Sequence, residues 1–71
     1  MRYTVVLERD EDGIYTATVP ALPGCISDGP TVEEALRNVR EAVQAYMEDL
    51  KEDGENIPND IEIIASVELD A

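Results

Sequence analysis

The chain has 71 residues, 17 of them acidic and 5 basic, for a formal net charge of −12. That length fits one domain, residues 1–71, with a modest core; the charge disfavours nucleic acid and anionic membranes, whose recognition rests on lysine and arginine. Cys25 is the one cysteine and histidine is absent, which excludes an internal disulfide and leaves no ordinary zinc ligand set.

Residues 2–8 alternate, with Tyr3, Val5 and Leu7 on one face and Thr4, Val6 and Glu8 on the other. This predicts a half-buried strand. The run is too short and too alternating for a signal-peptide core or a membrane span. Arg9-Asp10-Glu11-Asp12-Gly13 is polar and ends in Asp-Gly, a turn signal, because glycine takes the positive φ that a hairpin needs. Residues 14–19 alternate again: Tyr15, Ala17 and Val19 oppose Ile14, Thr16 and Thr18. Strand, charged turn and strand make a hairpin.

In Pro20-Ala21-Leu22-Pro23-Gly24, Pro20 and Pro23 lack the N–H that a central strand donates, so this segment reads as a tight corner. Cys25-Ile26-Ser27 suits a short third strand, and Asp28-Gly29-Pro30 breaks the chain. Gly13, Gly24 and Gly29 all fall where turns are expected.

A helix follows. Thr31-Val32-Glu33-Glu34 fits a capping box, in which the Thr31 hydroxyl accepts from the Glu34 N–H and the Glu34 carboxylate reaches back to Thr31. Ala35, Leu36, Val39, Ala42, Val43, Tyr46, Met47 and Leu50 form one apolar stripe at helical spacing. Gly54 and Pro58 mark the helix end and the linker after it. Residues 61–69 alternate once more and predict a last strand. The order β-β-β-α-β gives a two-layer α+β domain: an antiparallel sheet of three to four strands with one covering helix. Its other face would carry Val6, Ile14 and Ile64 among threonines and acids. That mixture suits either a contact surface or ordinary exposure of strand formers.

Catalytic chemistry finds little support. No histidine is available as a general base near neutral pH. Cys25, beside a corner, fits a small buried residue better than a nucleophile. Glu8, Asp10, Glu11 and Asp12 cluster at one turn and could suggest a two-metal nuclease. Such a run is more simply a solvated hairpin tip. Asp10 and Asp12 have calcium-loop spacing, but no acid stands at the closing position. The later stretch Glu52, Asp53, Glu55, Asn59, Asp60 reads as a solubilising loop. No catalytic, metal or cofactor site is therefore expected.

Several stretches together carry a pattern: Tyr3-Thr4-Val5-Val6-Leu7-Glu8, Asp12-Gly13-Ile14-Tyr15, Val19-Pro20-Ala21-Leu22-Pro23-Gly24-Cys25 and Gly29-Pro30-Thr31-Val32-Glu33-Glu34-Ala35-Leu36. They resemble the N-terminal domain of the HicB antitoxin family. The resemblance implies a partly formed ribonuclease H-like fold, a place in toxin–antitoxin modules, and self-association. It also implies a partner: HicA, a small basic ribonuclease whose active site the antitoxin blocks. Many family members add a C-terminal DNA-binding domain; this chain stops after its expected last strand, so promoter binding of its own is not expected.

The sequence thus suggests an antitoxin-like binding protein in the cytoplasm, where a lone thiol stays reduced. An orphan oligomer without a toxin, or a metal-dependent nuclease, are the alternatives. Expected partner contacts are the hairpin-tip acids Asp10, Glu11 and Asp12 and the helix acids Glu41, Glu48 and Asp49. A basic partner suits this charge because opposite fields steer encounter; solubility alone would also account for it.

Overall fold

The structure, a computed structural model, describes residues 2–61. Three strands, β1 (Val6–Arg9), β2 (Tyr15–Thr18) and β3 (Ile26–Gly29), precede one helix, α1 (Val32–Glu52). The strands form an antiparallel meander in the order β1-β2-β3. The strand expected at 61–69 lies outside the described residues beyond Ile61.

Pairing in β1 starts at Val6, later than the alternation does. Upstream, Tyr3 and Thr4 take other partners. The Tyr3 hydroxyl donates to the Pro58 carbonyl. The Asp60 carboxylate accepts from the Thr4 N–H at 2.9 Å and from its hydroxyl at 2.7 Å. Tyr3 and Val5 nevertheless pack against the core, as the alternation requires.

The β1–β2 connection is built by Asp10. Its Oδ1 accepts from the N–H groups of Asp12 and Ile14, each at 2.9 Å. Its carbonyl accepts from Gly13 at 3.1 Å, and its N–H donates to Ile14 at 2.9 Å. Gly13 closes the turn with φ of 83°, a left-handed conformation that costs a side-chain-bearing residue about 1–2 kcal/mol.

The proline corner is two consecutive turns. Leu22 N–H donates to the Val19 carbonyl, and Cys25 N–H to the Leu22 carbonyl, both at 3.0 Å. Pro20 and Pro23 occupy exposed positions where no donor is needed, while Leu22 is driven fully into the core. Burying such a side chain stabilises by about 1.5–3 kcal/mol.

The core consists of Ala17, Val19, Leu22, Cys25, Ala35 and Val39, flanked by Tyr15, Val43, Tyr46 and Met47. The helix lies chiefly over β3 and β2. Small residues permit this closeness. A Cβ on Gly29 would sit 2.7 Å from the Ala35 nitrogen and 2.9 Å from the Glu34 carbonyl carbon, so only glycine fits there without moving the helix. Asn38 adds a hydrogen bond from its side-chain amide to the Asp28 carbonyl at 2.8 Å. Leu7 shares the face of Ala17 but remains 38 % exposed, because the helix does not extend over β1. Burial pushes the Cys25 thiol above its ordinary pKa, which suits a packed structural thiol.

Both helix ends follow the sequence. Thr31 Oγ1 accepts from the Glu34 N–H at 3.1 Å. The Glu34 carboxylate does not close the expected box; it lies 3.8 Å from Arg37 instead. At the other end, Glu55 N–H donates to Leu50 and Gly54 N–H to Lys51, satisfying the last carbonyls.

Candidate functional site

Strand register fixes what each face of the sheet displays, since directly paired residues share a face. Leu7, Ala17 and Ser27 form one row under the helix; Arg9, Tyr15 and Gly29 form the next. On the opposite face, Val6, Thr18 and Ile26 form a row beside Glu8, Thr16 and Asp28. No described element covers this second face. Val6 is 42 % exposed and Ile26 57 %, the latter the most exposed large apolar residue of the described chain. A β-branched pair flanks a threonine methyl, with two carboxylates one row away.

The five cations lie elsewhere. Arg9 belongs to the helix-side rows and its guanidinium stands 5.9 Å from the Tyr15 ring centroid. Arg37 is on the helix beside Glu34. Arg2 and Arg40 line a groove between the N-terminal segment and the helix, together with Val5, Val39 and Val43. Lys51 lines the neighbouring groove with Tyr3 and Met47. The rows of the open face therefore carry Glu8 and Asp28 with no cation among them.

The contact residues expected from sequence do not form one surface. Asp10, Glu11 and Asp12 are exposed at the hairpin tip, where Asp10 already accepts two backbone N–H groups. Glu41, Glu48 and Asp49 are exposed along the helix. The helix starts beside Gly29, which pairs with Tyr15 next to that tip, and runs toward Tyr3 at the other end. Glu48 is thus separated from the helix start at Val32 by about 24 Å, at 1.5 Å per residue. Gly13, Gly24, Gly29, Pro20, Pro23, Thr31 and Glu34 shape turns, corner and cap as described above.

Sequence reading passed over two features. Ile26 and Asp28 have no face legible from sequence, because a strand of four residues shows too little alternation to orient. Asp60 reads from sequence as part of a solubilising loop, yet it clamps Thr4 across 56 positions of chain. The Thr4 backbone N–H, and then its hydroxyl, hold the Asp60 carboxyl below its ordinary pKa. Among the described residues, no group of three or more acidic, cysteine or histidine side chains is placed to hold a metal ion. No described helix is long and apolar enough to cross a membrane.

A three-stranded meander with one covering helix defines a small two-layer α+β domain. The chain belongs to the HicB-like antitoxins of bacterial toxin–antitoxin systems, whose family model matches residues 3–70. It is 55 % identical over 60 residues to a UPF0150 protein of Thermoplasma acidophilum, spanning 84 % of this chain and 87 % of that protein. It is 41 % identical over 58 residues to antitoxin HicB 1 of Photorhabdus laumondii, covering 82 % of this chain but 37 % of that protein. The crystal structure of the N-terminal domain of Burkholderia pseudomallei antitoxin HicB superimposes with a TM-score of 0.68 at 35 % identity, covering 89 % of this chain and 69 % of that one. The likeness to that domain bears out the fold expected from sequence, and membership of an antitoxin family implies a toxin as partner.

Proposed function

We propose that this chain neutralises a small, basic, RNA-cleaving toxin of the HicA type by binding it directly, with no catalysis of its own. The observation that carries this reading is the antitoxin family match over residues 3–70, in a chain whose net charge is −12. A strongly acidic domain attracts a cationic ribonuclease over distance and competes for the surface that would hold RNA phosphates. The same charge disfavours direct contact with nucleic acid or an anionic membrane. The chain works in the cytoplasm, where its buried thiol stays reduced, and it self-associates to supplement a modest core.

The test is co-expression. A toxin encoded beside this gene, induced alone, should arrest growth, and expression of this chain should restore it. The purified pair should bind more weakly as salt rises, since the Debye length shrinks from about 10 Å at 0.1 M to about 3 Å at 1 M. Growth arrest that persists despite soluble, folded chain would contradict the proposal.

A further inference from the structure

We infer that the toxin docks on the open face of the sheet, with the Val6–Thr18–Ile26 row at the centre of the contact and Glu8 and Asp28 beside it. This deepens the function proposed above and rests on it. Three observations lead here. The row is apolar at both ends and no described element covers it, with Val6 42 % and Ile26 57 % exposed. The adjacent row places Glu8 and Asp28 on either side of Thr16. None of the five cations stands in these rows: Arg37, Arg40 and Lys51 are on the helix, Arg9 is on the helix-side row, and Arg2 precedes β1.

The charge layout selects between the two apolar surfaces of the molecule. In the groove lined by Tyr3 and Met47, Lys51 stands with Glu48; the groove between the N-terminal segment and the helix is also apolar, but Arg2 and Arg40 line it with no acid among its lining residues. A cationic partner is repelled there and attracted to the open face. An apolar centre with charges at its margin also matches the anatomy of protein interfaces, where desolvated central side chains carry most of the affinity. The hairpin-tip acids are a poorer choice: Asp10 is engaged by two backbone N–H groups, and among the described residues no exposed apolar row adjoins Glu11 and Asp12. The helix acids add to the long-range field without touching the toxin.

Titration calorimetry between the full chain and the purified toxin encoded beside its gene tests this. Ile26→Arg should weaken binding by about thirtyfold or more, as loss of an interface hot spot does. The double variant Glu8→Gln/Asp28→Asn should weaken it by about tenfold at low salt and by less at high salt. Glu41→Lys/Glu48→Lys and Glu11→Lys/Asp12→Lys should stay within about threefold of the parent at high salt, where long-range fields are screened. Circular dichroism melts confirm that each variant is folded; the exposed positions chosen here should not disturb the core. Full binding by both open-face variants, with loss in the helix or tip variants, would overturn this assignment and leave the antitoxin reading intact. Failure of the parent chain itself to bind would remove both.

Discussion

The two faces of the sheet are made from the same strands and differ in nearly everything else. Toward the helix stand Ala17, Val19, Cys25 and the bare backbone of Gly29, closely packed and almost without exposed surface. Away from it stand Val6, Thr18, Ile26, Glu8, Thr16 and Asp28, a face that no described element covers and that carries only negative charge. A side-chain period of two separates these jobs with no additional chain. One face determines whether the domain folds; the other is free to determine what it meets. Substitutions that affect stability and those that affect recognition should therefore fall on alternate residues of the same strand.

The sharpest way to break that comparison is to empty the packed side. Leu22→Ala should cost about 2–5 kcal/mol, the range for large-to-small core changes. A small domain has only about 5–15 kcal/mol in total, so urea midpoints should drop steeply. Gly29→Ala comes next. Its methyl meets helix backbone rather than a flexible side chain, and overpacking of this kind costs about 1–3 kcal/mol, readable in the melting temperature. Thr31→Ala removes the side-chain acceptor of the helix start and should cost about 0.5–2 kcal/mol, while Thr31→Ser should restore most of it.

A pH titration tests the tether at the β1 side. Asp60 has its carboxyl held below the ordinary value in the folded state, so the stability it contributes is complete above the unfolded carboxyl pKa. That stability is lost as pH falls through the lowered, folded value. Thr4→Val deletes the hydroxyl donor and should move the Asp60 carboxyl back upward in a carbon-detected NMR titration. The smallest expected change in stability is on the open face: Ile26→Thr should alter unfolding free energy by no more than about 0.5 kcal/mol, as exposed substitutions generally do.

Much of this architecture was legible in the sequence because short-range rules governed it. The alternation of Tyr15, Ala17 and Val19 gave the buried face of β2, Thr31 marked the helix start, and Asp12-Gly13 marked the hairpin. The departures arose where distant chain segments meet. Leu7 has the right parity to be buried, yet the helix settles over β2 and β3, a placement set by the Gly29–Ala35 approach and not by any pattern within β1. Glu34 has the spacing for a reciprocal cap, but Arg37 one turn later draws its carboxylate away. Asp60 looked like one more solvated acid, because nothing local reveals a partner in Thr4. The open face was legible only in part: Val6 and Thr18 followed from alternation, whereas Ile26 and Asp28 joined them only once the β2–β3 register was known.

Hydrogen exchange of this chain, free and in complex with the toxin encoded beside its gene, tests the separation of faces most directly. The expected result is added protection confined to β1 and β3, centred on Val6 and Ile26, with the exposed face of the helix exchanging as in the free chain. Protection concentrated on the helix around Glu41 and Glu48, with β1 and β3 unchanged, would contradict it.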